Sequence, residues 1–241
     1  MKKLLLGALV ALLPITAMSA TIFGFQAGTG TWKHDPSGSI STSADGVGVS
    51  ADFTNQLGFS EEKEGYTYFS LEHPVPVIPN FKFVNTKLTH SGTGSASFTF
   101  DNVAYTAGVT TKLDLTQTDY ILYYEILDNV VSLDLGIAGK QIDGQIAISN
   151  TTPTNFTGTV PMLYASAEIM LPAGFSIVGE ISTVSAAGNE ITDTTVKLTY
   201  TTDYYLGLEV GTRTQDYVID VDSVQANLEL SGLFAGVYFK F

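Results

Sequence analysis

The last ten residues, Gly232-Leu-Phe-Ala-Gly-Val-Tyr-Phe-Lys-Phe241, constrain the fold most. In an extended segment side chains alternate between faces, so Leu233, Ala235, Val237, Phe239 and Phe241 share one face while Gly236, Tyr238 and Lys240 share the other. The segment is a strand, apolar on one side and ending on an aromatic. What that apolar side packs against is the question the rest of the chain must answer.

The other end reads as an export signal. Lys2 and Lys3 precede an apolar run from Leu4 to Leu13, Pro14 breaks it, and Ala17-Met18-Ser19 supplies small residues for a peptidase, predicting a mature chain that starts at Ala20 or Thr21. Residues 1–19 are therefore expected to be removed and 20–241 to form one domain. The run is too short to be a spanning helix, and no later stretch approaches 18 apolar residues. With no cysteine there is neither a lipid anchor nor a disulfide, so an exported chain must draw its stability from a large hydrogen-bonded framework.

Yet 44% of residues are hydrophobic and only 15% charged, a very apolar balance for an exported soluble domain. A transmembrane barrel resolves the conflict, because each strand needs only every second residue to face lipid. The formal charge is −13, and loss of the signal lysines makes the mature chain more acidic still, which argues against nucleic acid as a partner. Acidic outer loops suit divalent cations at a lipopolysaccharide surface.

Strand segments with this code recur along the chain. Thr21 to Lys33 alternates Phe23, Phe25 and Ala27 against Gly24, Gln26 and Gly28, where glycine makes room inside a narrow barrel. Residues 34–65 form a long connection, with Val47 to Phe53 as a strand extension. Tyr66 to His73 and Phe81 to His90 flank a turn of His73, Pro74, Pro76, Pro79 and Asn80, in which prolines preclude a central strand. Tyr120 to Leu127 pairs with Val130 to Ile148, Pro161 to Leu171 with Phe175 to Val184, and Thr194 to Thr201 with Tyr204 to Gln215; Val224 to Phe241 closes the set. The fold class is all-β: a closed antiparallel transmembrane barrel of about ten strands, with eight or twelve as alternatives, short periplasmic turns and long outer loops. Residues 91–119 add either a hairpin above the membrane or two further spans.

Two strands change phase. Leu133, Leu135 and Ile137 are odd but Ile142, Ile146 and Ile148 even, and Leu228 and Leu230 precede the odd set that ends at Phe241. Bulges near Gly139 and Gly232 would restore both faces. Aromatics near the short turns, among them Tyr66, Tyr68, Phe81, Phe83, Tyr123, Tyr124, Phe175, Tyr200, Tyr204, Tyr205 and Phe239, are expected to form an interfacial girdle.

The terminal strand, with Tyr238, Phe239 and Phe241, resembles the C-terminal strand by which bacterial outer-membrane barrels are recognised by their assembly machinery. The segments Glu72-His-Pro-Val-Pro-Val-Ile-Pro-Asn80, Tyr123-Tyr-Glu-Ile-Leu-Asp-Asn129, Ser132-Leu-Asp-Leu-Gly136 and Pro161-Met-Leu-Tyr164 resemble an uncharacterised family of Gram-negative outer-membrane β-barrel proteins. That resemblance implies a place in the outer membrane, among lipid and lipopolysaccharide. It brings no activity, cofactor or catalytic residue.

Phase places Glu72, Glu125, Asp134, Asp143, Glu168, Glu180 and Glu209 in the lumen with Lys140, Lys197 and Arg213. Charges inside a small barrel are costly unless paired, which predicts a network that fills the lumen; an acid-lined channel favouring cations is the alternative. A lipid-modifying or proteolytic barrel enzyme is the least favoured reading. Of the three histidines, His34, His73 and His90, His73 organises a turn, and His90 and Ser91, as neighbours on a strand, point to opposite faces, which spoils a shared site. No His or Cys cluster has zinc spacing, and Asp216, Asp220 and Asp222 lack the glycine and closing glutamate of a calcium loop.

Overall fold

The computed structural model describes residues 23–44, 47–95, 98–100, 103–105, 107–148, 153–221 and 224–241; the export signal lies outside them. The strands are β1 (Gly24–Ala44), β2 (Val47–Asp52), β3 (Glu62–Glu72), β4 (Asn80–Thr86), β5 (Thr89–Thr93), β6 (Phe98–Phe100), β7 (Val103–Tyr105), β8 (Thr110–Asp128), β9 (Val131–Ile148), β10 (Thr154–Met170), β11 (Phe175–Ala186), β12 (Asn189–Thr201), β13 (Leu206–Val221) and β14 (Val224–Lys240). Ten of them, β1, β3, β4 and β8 to β14, follow one another antiparallel around a barrel that β14 closes on β1, from Gln26 opposite Lys240 to Thr42 opposite Val224. Closure leaves no strand edge to satisfy. β2 folds back on β1, β5 continues beside β8, and β6 with β7 forms a separate hairpin, so the residues after His90 add a hairpin rather than two more barrel strands.

One end of the barrel carries the short turns. His73 ties its turn together: its backbone N–H donates to Asn80 Oδ1 at 3.0 Å, Nε2 lies 3.2 Å from the Pro79 carbonyl, and Nδ1 accepts from the Val75 N–H at 3.3 Å. The turn Pro172–Gly174 is a single 3-10 turn with Ala173 and Gly174 at positive φ. At the opposite end strands run well beyond the predicted spans, β1 to Ala44 and β13 to Val221. There Ala187 and Gly188, both at positive φ, join β11 to β12 by a two-residue loop, shorter than expected at the outer end.

The expected bulges are absent, and the reason is physical. Gly139 pairs with Tyr120 and Pro161, and Gly232 with Arg213 and His34, all in unbroken register; the β8–β9 ladder shifts register instead between Glu125 and Leu127. What changes is the medium outside. Near the short turns Leu135, Ile137, Leu163, Val196, Leu198, Leu208, Val210, Leu233 and Val237 point outward and are exposed. Higher up, Leu228 and Leu230 point inward and are buried, while Ser231 and Glu229 take the outer positions. Asp143, in phase with Ile137, consequently lies outside and exposed, not in the lumen. Apolar-out becomes apolar-in where lipid gives way to water. Lys33 marks the change on β1: it points outward and pairs with Glu61 at 2.7 Å, with both side chains about half exposed. The spanning segments lie below this level.

Candidate functional site

The interior of the barrel is the site, and its contents come in layers. At the short-turn end the lumen is acidic. Glu125 lies directly opposite Asp134, Glu72 accepts from the Tyr123 hydroxyl at 3.0 Å, and Glu168 meets Lys240 at 3.6 Å. A cavity of about 80 Å³ opens beside Glu72, Asp134, Glu168 and Lys240, with Ser70, Tyr164 and Tyr238 also in its wall and Lys82, Lys197 and Glu180 reaching it from the layer above.

Above it the charges balance. Glu180 pairs with Lys82 and, at 3.5 Å, with Lys197; Lys197 also reaches Glu209 at 3.0 Å. The hydroxyls of Tyr66 and Tyr68 donate to Glu209 at 2.7 and 3.2 Å, and that of Tyr164 donates to Glu180 at 3.2 Å. Lys197 also stands 5.3 Å over the Tyr68 ring. Two cations against two anions, with every carboxylate also hydrogen-bonded, is the arrangement that makes buried charge tolerable.

A second such group follows. Lys140, fully buried, meets Asp119 at 2.8 Å and Asp193 at 3.0 Å. Arg213 grips Asp193 through Nε and Nη2 at 2.9 and 2.7 Å, donates Nη1 to Thr86, and stacks 5.2 Å over the Trp32 ring. Gln117, Gln215 and Tyr217 complete the ring of hydrogen bonds. Both groups are held by strands on opposite sides of the barrel, so each is a strut across the lumen.

Glycine makes the tyrosines possible. A Cβ on Gly28 would stand 2.5 Å from the Tyr68 ring, and Gly30 and Gly236 lie under the Tyr66 hydroxyl. Tyr66, Tyr68 and Tyr123 are buried inside the barrel and belong to the lumen rather than to the expected girdle. Phe81, Phe83, Phe175, Tyr200, Tyr205 and Phe239 do form outward aromatic contacts near the short turns, Tyr205 also packing on Phe241. Tyr238 faces inward, covering Gly207 and bonding Thr201.

At the top, the segment after β2 forms a cap. Asp52 Oδ1 accepts from the N–H groups of Thr54 and Asn55 at 3.1 and 2.6 Å, and the Phe59 N–H returns to the Phe53 carbonyl. Phe53, Leu57 and Phe59 are buried with Trp32, Leu88 and Leu230. His34 and His90 join this apolar mass, with His34 Nδ1 3.0 Å from His90 Nε2.

Glu180, Glu209, Lys140, Lys197 and Arg213 thus lie in the balanced groups, while Glu72, Glu125, Asp134 and Glu168 gather below them. Lys82, Asp119 and Asp193 were not anticipated. Lys82 alternates with Phe81 and Phe83, and Asp119 with Tyr120 and Leu122, so phase could have found both; Asp193 sits one residue before the predicted start of its strand. Asp216 lies opposite Glu229 on β13, Asp220 accepts from Gln225, and Asp222 is outside the described residues.

No protein-family model and no curated protein matches the sequence. Among solved structures, the outer membrane protease OmpT from Escherichia coli superposes with a TM-score of 0.60 over 93% of this chain and 99% of that one, at 9% identity. The fold is that of an outer-membrane β-barrel. The translocator domain of the autotransporter NalP from Neisseria meningitidis overlaps less, with a TM-score of 0.40 and 10% identity over 90% of this chain and 88% of that one.

Proposed function

We propose that this chain is an integral barrel of a Gram-negative outer membrane, exported by its N-terminal signal, whose lumen is closed by its own side chains and whose role is structural or interactive rather than catalytic. One observation carries the reading: both groups of lumen charges are neutral and mutually bonded, leaving no unpaired cation or anion in the middle of the barrel to draw solute through. Against catalysis stands the bonding of His34 and His90 to each other in an apolar interior, away from any substrate. The expected partners are outer-membrane lipid and lipopolysaccharide, and during biogenesis the assembly machinery, which would read Tyr238, Phe239 and Phe241. The motif-bearing segments are what supports grouping the chain with the uncharacterised barrel family they resemble.

The acidic mouth favours a second reading, a small cation-favouring channel. Planar-bilayer recording of the refolded mature protein, its folding checked by heat-modifiable migration, separates the two. A silent bilayer is expected. Steady cation-selective steps would sink the closed-lumen reading and make Glu72, Glu125, Asp134 and Glu168 the residues to mutate.

A further inference from the structure

His34 on β1 and His90 on β5 are buried almost completely, with 0 and 2% of their surfaces exposed, and they bridge β1 to β5 beneath the Ser60 end of the cap, whose Phe53 end is bonded to β1 separately, by the Phe53 N–H to the Gly38 carbonyl at 3.1 Å and the Thr54 hydroxyl to the Pro36 carbonyl at 3.2 Å. The protons can be placed. His90 Nδ1 lies 3.3 Å from the Ser60 carbonyl, which can only accept, so this nitrogen carries hydrogen and His90 Nε2 is the acceptor. His34 Nδ1–H must then donate to His90 Nε2, and His34 Nε2, buried and without a hydrogen-bond partner, is left with its lone pair. The chain of bonds runs from β1 through both rings to the last residue of the cap. Rings continue it in both directions: Phe59 and then Phe53 above His90, and Trp32 with Arg213 below His34.

A proton added to His90 Nε2 would set two N–H donors against each other at 3.0 Å. A proton added to His34 Nε2 would place a second cation near Arg213. We propose that the His34–His90 pair is a proton-operated latch: acidification breaks the bond between β1 and β5 and lets the Leu57–Ser60 end of the cap, still carried by His90, part from β1 at the top of the barrel. The latch acts on the closed state inferred above and rests on that reading only for its consequence, access to the lumen.

The surrounding charges set the direction of the response. Asp35 and Glu64 act on His90, Glu62 stands opposite His34 in the register, and Arg213 and His90 itself oppose a charge on His34. Both rings lie above the level of Lys33, outside the spanning segments. Burial, then His90 and Arg213, push His34 down to about 4 from its ordinary 6.5, and burial lowers His90 against the opposing Ser60 carbonyl, Asp35 and Glu64. A base whose closed-state affinity for protons is depressed stabilises that state fully above its ordinary range, here 6.5. That contribution is lost as pH falls through the depressed value.

The test uses the absence of cysteine in the chain. Leu57→Cys puts a thiol under the cap, and Asn55→Cys puts one on its exposed surface. Reaction of each with a dipyridyl disulfide is followed in the full-length folded protein at about pH 7.5 and about pH 4.5. The ratio of the Leu57→Cys rate to the Asn55→Cys rate is expected to rise by about tenfold or more on acidification, and to stay flat in a background carrying His34→Gln and His90→Gln. Trp32, the sole tryptophan, reports the same event through its fluorescence, because its ring lies 4.7 Å from His34. A flat ratio in the unsubstituted background, or an acid response that survives removal of both imidazoles, would overturn the latch. Heat-modifiable migration confirms that each variant is folded. Failure of the closed-lumen reading shows separately, as conductance at neutral pH.

Discussion

Arg213 has most to lose in the interior of this barrel. Its guanidinium serves Asp193 in a bidentate grip, Thr86 through a third N–H, and the face of Trp32. Replacing it with leucine leaves Asp193 buried with only Lys140 and Gln215 to answer it, and removing one partner of a buried pair costs about 3–5 kcal/mol. The urea midpoint of the folded band should fall accordingly. Adding Asp193→Leu to the same chain should recover part of that loss, because the stranded charge is then gone; a double variant as weak as the sum of the singles would contradict the network. Lys33→Ala removes an exposed pair and should change stability by less than about 1 kcal/mol. Most of this was readable from phase, since a charge that alternates with aromatics on a spanning strand has only the lumen to enter. What phase does not show is the partner. Lys82 and Glu180 are 98 residues apart, and only barrel closure brings them face to face.

At the scale of the strand, the governing fact is that the apolar face switches sides along a single element. On β14, Leu233 and Val237 face lipid while Leu228 and Leu230 fill the core beneath the cap, with no bulge between them. Phase alone predicts a bulge from these residues, because it takes one environment along the whole strand. For the same reason phase ends β1 near Lys33 and starts β10 at Pro161, each where the lipid code ends rather than where the strand does. Leu230→Ala should therefore cost about 2–5 kcal/mol, as expected of a cavity in a packed core. Leu233→Ala, on the lipid face, should cost less. The reverse ranking in urea titrations would mean that the upper barrel is not a packed core. Glycines on these strands divide the same way. Gly28→Val would drive a side chain into the Tyr68 ring and should weaken the barrel by about 1–3 kcal/mol or block its folding. Gly158→Ala meets nothing within 4 Å and should stay within about 0.5 kcal/mol of the parent.

Over the whole molecule, the closed-lumen reading rests on two side-chain assemblies, one above the other. The charged struts cross the lumen within the apolar band, and the cap with its apolar core lies above them; Trp32, His34 and Arg213 are among the residues that join the two. Closures in series conduct only when both are open, so opening either one should leave the barrel silent. Replacing Phe53, Leu57 and Phe59 with serine should loosen the cap without current, because the struts still cross the bore. Replacing Lys197, Glu209, Arg213 and Asp193 with alanine removes two cations and two anions together, keeping the charge balanced and widening the bore, again without current while the cap holds. Only the combined protein should give steps in planar bilayers, and those should favour cations, because the acidic mouth formed by Glu72, Glu125, Asp134 and Glu168 survives both changes. Current from the cap variant alone would mean that the struts do not seal the lumen, and current from the strut variant alone would mean that the cap does not.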